Sequence, residues 1–156
     1  MLLHVESNDI MKIVLTAPPQ TGKSTLLFRF LQNTSLRSRG VCAKERTLNG
    51  VRVGFTLQVT GGQEVEFMTK HECIPPNDRP CVGHYAVDVA AIDRIVAPEL
   101  QGCLDDQNLE LVYIDEIGRA QAFSESFLKT VEDVFRFADN ASKHVLATVV
   151  KEDTRW

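Results

Sequence analysis

The chain has 156 residues, 44% of them hydrophobic and 24% charged, which is typical of a single globular domain. Its formal net charge of −4, with no basic stripe, argues against nucleic acid as a partner. No apolar run approaches the roughly 20 residues of a membrane-spanning helix, and the first nine residues lack the features of a signal peptide. We therefore expect one domain over residues 1–156, in the cytoplasm, without a membrane partner.

The four cysteines include no Cys-x-x-Cys pair and are expected to be reduced thiols. Two of them, Cys73 and Cys81, lie close in sequence to His71 and His84. Zinc sites use these ligand types, although usually at tighter pair spacing. Two interpretations stay open: a zinc site, or unrelated core and surface residues.

The first elements are a strand and a helix joined by a turn. A short β-branched run over residues 12–16 predicts a strand buried in a parallel sheet. After a turn at 17–22, apolar residues at helical spacing predict a helix over 23–31. Residues 33–40 are polar and Arg-rich, and they predict a loop.

The middle of the chain, about residues 40–70, is predicted to be a β-rich insertion. Alternating apolar residues predict a strand over Val51–Val59, Gly61-Gly62 predicts a hairpin turn, and residues 65–68 predict the return strand. Three prolines predict a loop over residues 74–80.

The last third of the chain returns to helices and strands. Asp88 is predicted to cap a helix that runs towards Leu104, with a kink at Pro98. Residues 109–114 predict a strand that ends in two acids, and His144–Val150 predicts one more apolar strand. Ser124 is predicted to cap an amphipathic helix with this buried stripe: Phe127, Leu128, Val131, Val134 and Phe135.

The turn after the first strand carries a recognisable motif. Residues 17–24, Ala-Pro-Pro-Gln-Thr-Gly-Lys-Ser, fit the phosphate-binding pattern G-x-x-x-x-G-K-[ST] except at the first position. In such loops, backbone N–H groups at a helix N-terminus form a concavity that favours anions. Lys23 is predicted to reach the β- and γ-phosphates, and the Ser24 hydroxyl to bind Mg²⁺. The predicted nucleotide-binding residues are Ala17, Pro18, Pro19, Gln20, Thr21, Gly22, Lys23, Ser24 and Thr25.

The second motif is the acidic pair Asp115-Glu116, which follows the apolar strand of residues 109–114. Asp115 is predicted to hold Mg²⁺, and Glu116 to orient the attacking water and take its proton. Taken alone, an Asp-Glu pair after a strand is equally typical of a polar loop. Together with the phosphate loop, it favours a site for a Mg²⁺–nucleoside triphosphate.

The alternation of strands and helices predicts an α/β fold, with a mostly parallel sheet flanked by helices and a β-hairpin insertion. Ligands of such sheets bind at the carboxyl ends of the strands, where both motifs are expected to lie.

Beyond these motifs, the chain resembles the cancer-related nucleoside-triphosphatase family. Residues 114–118 (Ile-Asp-Glu-Ile-Gly) and 123–127 (Phe-Ser-Glu-Ser-Phe) resemble the family pattern I-D-E-I-G-x-M-E-x-x-S-x-x-F. Residues 82–88 resemble V-G-x-Y-x-V-D. Gly40, Glu45, Gly50 and residues 53–55 match a third pattern, G-x-x-T-x-E-x-R-x-x-G-x-x-V-G-F.

The resemblance implies a P-loop NTPase fold of the RecA-like (ASCE) type, in which the catalytic Glu lies on the strand that carries the Mg²⁺ Asp. It also implies hydrolysis of ATP, GTP and other nucleoside triphosphates to the diphosphate, with Mg²⁺ and little base selectivity. We expect a monomer. Ala17 and Gln20 stand where the family normally has glycine. Family chains usually continue past the position of Trp156 through another strand and a helix, which implies a C-terminally shortened domain.

Other functions stay open at this stage. A kinase would pass the γ-phosphoryl group to a small acceptor, and a nucleotide-binding switch would bind without turnover. Arg39 and Arg119 are candidates for neutralising transition-state charge, with solvated surface arginines as the alternative.

Overall fold

The structure, a computed structural model, describes residues 10–71 and 79–150. Its strands, numbered in chain order, are β1 (Lys12–Ala17), β2 (Ser38–Leu48), β3 (Val51–Val59), β4 (Glu64–Lys70), β5 (Cys81–Val82), β6 (Tyr85–Val87), β7 (Leu111–Ile117) and β8 (His144–Val150). Its helical segments are α1 (Lys23–Asn33), α2 (Val89–Ala91), a π-helical turn (Ile92–Val96), α3 (Ala97–Asp105), a 3₁₀ turn (Gln121–Phe123) and α4 (Glu125–Phe137). None of the helices in the described ranges is long and apolar enough to cross a membrane.

The strands form one sheet with a parallel half and an antiparallel half. Over the described residues the order is β1-β8-β7-β2-β3-β4-β6-β5. The first four strands in this order run parallel to one another, and the remaining pairs are antiparallel. The parallel half and its helices confirm the predicted α/β fold of the P-loop NTPase type.

The antiparallel half is larger than the predicted hairpin insertion. The predicted strand and return strand are confirmed as β3 and β4, but β5 and β6 extend the sheet beyond them. The prediction of a loop through residue 40 was wrong at its end, because β2 begins at Ser38. β2 pairs with β7 only as far as Cys42, and its residues from Lys44 to Leu48 are exposed. A strand that is exposed over half its length lacks the apolar alternation by which strands are recognised.

Helices cover both faces of the parallel half. Alternate residues of β7 and β8 point to opposite faces, so Val112 and Val145 belong to the larger core, whereas Leu111 and Leu146 pack with Leu27 of α1. The π-helical turn, α3 and α4 cover the larger core. This sandwich holds the carboxyl ends of β1, β7 and β8 together at one edge of the sheet.

The prediction that β1 is a buried strand was wrong. Within residues 10–71 and 79–150, β1 pairs with β8 alone and forms the edge of the sheet. Its side chains Ile13 and Val14 are therefore 44% and 47% exposed. A run of β-branched residues indicates a strand, but the position of that strand within the sheet depends on distant parts of the chain.

The caps predicted for two helical segments are confirmed. The Asp88 carboxylate accepts a hydrogen bond from the Ala91 N–H, and the Ser124 hydroxyl accepts one from the Phe127 N–H. A π-helical turn lies just before Pro98, where a kink was predicted. The predicted stripe of α4 was wrong at Leu128, which is 42% exposed because this helix packs through a narrower face.

Candidate active site

The phosphate loop connects the carboxyl end of β1 to the first turn of α1. Gly22 is the N-cap of α1 and has a φ of 89°, and no side chain caps the helix there. Gln20 also lies in the left-handed region, with a φ of 60°. The turn thus imposes on a glutamine a backbone conformation that costs non-glycine residues about 1–2 kcal/mol. The first N–H groups of a helix have no carbonyl partner within it, so the start of α1 is suited to binding an anion.

Side chains of the loop bind back to its own carbonyl groups. The Lys23 ammonium donates to the carbonyl oxygens of Ala17 and Pro18, at 2.9 and 3.0 Å. The Thr21 hydroxyl donates to the same Pro18 carbonyl at 2.8 Å. Pro18, which lacks an N–H group, thus contributes an acceptor that helps to hold the lysine across the loop.

The acidic pair lies within β7 rather than after it, since this strand continues to Ile117. Asp115 is fully buried and Glu116 is half-buried. The ladder between β7 and β8 is regular up to Ile114 and resumes at Ile117, so its irregularity coincides with the two acids.

The two motifs meet at one point. Ser24 Oγ donates a hydrogen bond of 3.0 Å to Asp115 Oδ1, across a sequence separation of 91 residues. The Lys23 charge acts on both Asp115 and Glu116. The structure therefore brings Lys23, Ser24, Asp115 and Glu116 together at the carboxyl edge of the parallel strands.

A further side chain that the motifs do not include reaches the same carboxylate. Thr148 of β8 is fully buried, and its hydroxyl donates to Asp115 Oδ1. Asp115 Oδ1 thus accepts two hydrogen bonds, whereas the other oxygen, Oδ2, is buried without a hydrogen-bond partner.

Both acids hold protons more readily than ordinary carboxyl groups. Burial raises the pKa of Asp115, while the hydroxyls of Thr148 and Ser24 and the Lys23 charge act in the opposite direction. Burial also raises the pKa of Glu116, with the Asp115 carboxylate as the second cause and Lys23 opposing. Desolvation is the dominant cause in each case, because a carboxylate loses more hydration than a carboxylic acid on burial.

The donor set fits a magnesium ion. Mg²⁺ binds oxygen ligands and keeps several waters, so one hydroxyl and one carboxylate suffice beside the phosphates of a nucleotide. Ser24 and Asp115 supply these groups side by side. The unpartnered Oδ2 of Asp115 is the kind of buried acceptor that a cation or its bound water would satisfy.

The residues after the acids leave room for Glu116. A Cβ at position 118 would lie 2.9 Å from Glu116 Oε1 and 3.1 Å from Gln121 Oε1, so only glycine fits there without displacing these side chains. Gln121 is 4% exposed and begins the 3₁₀ turn that follows. The Ile-Asp-Glu-Ile-Gly motif thus combines the acids with the space that the second acid needs.

Of the two candidate arginines, Arg39 is not part of this site. Its guanidinium forms ion pairs with Glu99 at 2.9 Å and Asp106 at 3.3 Å, which raise the Arg39 pKa. Arg39 pairs with Val112 in the sheet, three positions before Asp115, or about 10 Å towards the amino end of the strand. Its role is therefore structural. Arg119 is exposed just after Gly118 and stays a candidate.

The His and Cys group for which a zinc site was one of two open interpretations is only partly described, because Cys73 lies outside the described residues. Cys81 Sγ lies 3.6 Å from His71 Nε2, and the backbone N–H of His71 donates to the backbone oxygen of His84. Within residues 10–71 and 79–150, no three His, Cys, Asp or Glu side chains are grouped to hold a metal ion.

Comparison with known proteins assigns the chain to a family. A family model described as NTPase matches residues 12–156. The chain belongs to this NTPase family. Nucleoside-triphosphatase THEP1 of Thermotoga petrophila is 31% identical over 144 residues, which cover 90% of this chain and 73% of that protein. The cancer-related nucleoside-triphosphatase of Homo sapiens is 30% identical over 125 residues, covering 76% and 66%.

Solved structures agree with this assignment. THEP1 from the hyperthermophile Aquifex aeolicus has a TM-score of 0.74 at 27% identity, covering 93% of this chain and 80% of that one. Membership in the NTPase family confirms the resemblance based on the motifs, and it makes nucleoside triphosphates the substrate class.

Proposed function

We propose that the protein hydrolyses Mg²⁺-bound nucleoside triphosphates, ATP and GTP among them, to the diphosphate and inorganic phosphate. The observation that carries this proposal is the 3.0 Å hydrogen bond from Ser24 Oγ to Asp115 Oδ1. It joins the end of the phosphate loop to the strand of the two acids, so that one triphosphate can engage both.

The phosphate groups bind in the concavity at the start of α1, where N–H groups and the helix dipole favour negative charge. Lys23 exchanges its bonds to the carbonyl groups of Ala17 and Pro18 for bonds to the β- and γ-phosphate oxygens. The ammonium is already held across the loop, so binding requires a small reorientation of one side chain.

Glu116 acts as the general base. It accepts a proton from the water whose oxygen attacks the γ-phosphorus, while the bond between that phosphorus and the β,γ-bridging oxygen breaks. Burial and the neighbouring Asp115 raise the pKa of Glu116, and a carboxylate with a raised pKa is a stronger base near neutral pH.

Ser24 and Asp115 would hold Mg²⁺, which would neutralise the charge that develops on the phosphate oxygens. All of these groups act on phosphate, metal or water rather than on the nucleobase. We therefore propose little selectivity among bases.

The test is Mg²⁺-dependent phosphate release from ATP, GTP, CTP and UTP. Glu116→Gln should retain nucleotide binding and lose about 10²- to 10⁴-fold in turnover, because the proton acceptor is gone. Lys23→Ala should lose nucleotide binding or turnover. Glu125→Gln is a matched control, since this carboxylate is exposed in the first turn of α4.

Each alternative has its own outcome. Phosphate transfer only in the presence of an added acceptor would identify a kinase, and tight binding without phosphate release would identify a switch. Turnover of Glu116→Gln at the parental rate would contradict the assignment of the base.

A further inference from the structure

The carboxylate of Asp115 is held from two different elements. Ser24 donates to Oδ1 from the first turn of α1, and Thr148 donates to the same oxygen from β8. β8 lies between β1, which leads into the phosphate loop, and β7, which carries the acids. The oxygen that remains without a protein partner is Oδ2.

The hydroxyl of Thr148 stands in an otherwise apolar stretch. Its neighbours along β8 are Ala147 and Val149, and its partner on β1 is Leu15. A buried hydroxyl group is costly unless it forms a hydrogen bond, and Thr148 is fully buried. The Thr148 hydroxyl forms this hydrogen bond with Asp115. The presence of a hydroxyl at this position of β8 is therefore linked to the orientation of the Asp115 carboxylate.

The two donors, Ser24 and Thr148, have different roles in the proposed reaction. Ser24 belongs to the phosphate loop and is shared between Asp115 and the proposed metal. Thr148 belongs to the core of the sheet and has no such second task. Only Thr148 can therefore hold Oδ1 in the same way before and after Mg²⁺ arrives.

We propose that Thr148 is a positioning residue for Mg²⁺. It fixes Asp115 through Oδ1, so that Oδ2 is presented to the metal or to a metal-bound water. The inference rests on the proposed function, because it assigns a role to Thr148 in the Mg²⁺ site of that reaction. Residues that orient metal ligands through hydrogen bonds typically change metal affinity 10- to 100-fold when they are removed.

The variant Thr148→Val keeps the shape of the side chain and removes the hydroxyl. Binding of a fluorescent, non-hydrolysable ATP analogue is measured in Mg²⁺ and in EDTA. For Thr148→Val we expect binding in EDTA to match the parent, and the concentration of Mg²⁺ needed for half-maximal enhancement to rise about 10- to 100-fold. Thr148→Ser, which keeps a hydroxyl, should restore most of the Mg²⁺ response.

Two further variants serve as a control and as a substitute. Thr130→Val removes another buried hydroxyl, one that donates to the Ser126 carbonyl within α4, and its Mg²⁺ response should match the parent. If Thr148→Val does not fold, Thr148→Ala takes its place in the same measurement.

Three results would overturn the proposal. A Mg²⁺ response of Thr148→Val equal to that of the parent removes the positioning role alone. If Thr148→Val loses the same amount of analogue binding in Mg²⁺ and in EDTA, Thr148 has a general structural role instead. A parental protein that binds the analogue equally in Mg²⁺ and in EDTA refutes the proposed metal, and it is distinguished by failing before any variant is compared.

Discussion

Gln20 allows the strain in the phosphate loop to be measured. Its backbone has a φ of 60° and its side chain is exposed. The left-handed conformation costs a non-glycine residue about 1–2 kcal/mol, and glycine avoids that cost. Glycine also adds about 0.5–1 kcal/mol of conformational freedom to the unfolded chain. The difference between the middle values of these ranges predicts that Gln20→Gly raises the free energy of unfolding by about 0.5–1 kcal/mol.

Equilibrium urea unfolding followed by circular dichroism measures this difference, which corresponds to a rise in Tm of about 1–4 °C for a protein of this size. Gln20→Ala is the matched control, because it removes the side chain and keeps the constraint on φ. It should bring no gain in stability. If Gln20→Gly were no more stable than Gln20→Ala, the loop would not be strained at this position.

Two further predictions concern Glu116 and a close contact in the sheet. Burial and Asp115 raise the pKa of Glu116 in the folded state. The contribution of Glu116 to the free energy of unfolding is therefore complete below its unfolded-state pKa, and it is lost as the pH rises through its folded-state pKa. The free energy of unfolding of Glu116→Gln minus that of the parent should therefore increase as the pH rises above about 4, the unfolded-state pKa of a glutamate. A difference that is independent of pH in urea unfolding would contradict the assigned shift. Gly40→Ala should lose at least about 3 kcal/mol of stability, since the added Cβ would lie 1.8 Å from the Tyr113 carbonyl oxygen. The control is Gly102→Ala in α3, where the atom nearest to the added Cβ is 3.6 Å away. This variant should gain about 0.5–1 kcal/mol in the free energy of unfolding. Similar urea midpoints for the two variants would refute the close approach at Gly40.

The parts of the fold that follow from local signals could be predicted from the sequence. The caps Asp88 and Ser124 were identified because each side chain bonds to a backbone N–H three residues later. The strand–turn–helix around the phosphate loop was identified for a similar reason. The exposure of β1 could not be predicted in this way, since it depends on which strands lie beside it in the sheet.

The candidate site shows the same division. Lys23, Ser24, Asp115 and Glu116 were found because their spacing within two motifs encodes the chemistry, and the structure brings the motifs together. The distance of Arg39 from the site depends on strand register, which the sequence does not reveal. Thr148 was missed because it belongs to no motif, although a hydroxyl residue in a run of apolar ones was a signal that could have been used.

The two sides of the candidate site, the phosphate loop after β1 and the acids of β7, differ in how many strands their own strand pairs with. Within the described ranges β1 is hydrogen-bonded to one neighbour, whereas β7 lies between two. Local opening of the phosphate-loop side breaks a single ladder, so its amide protons should exchange with solvent faster than those of β7. In the proposed function the phosphates bind on this side, so we expect nucleotide binding to order the region of the protein that opens most easily.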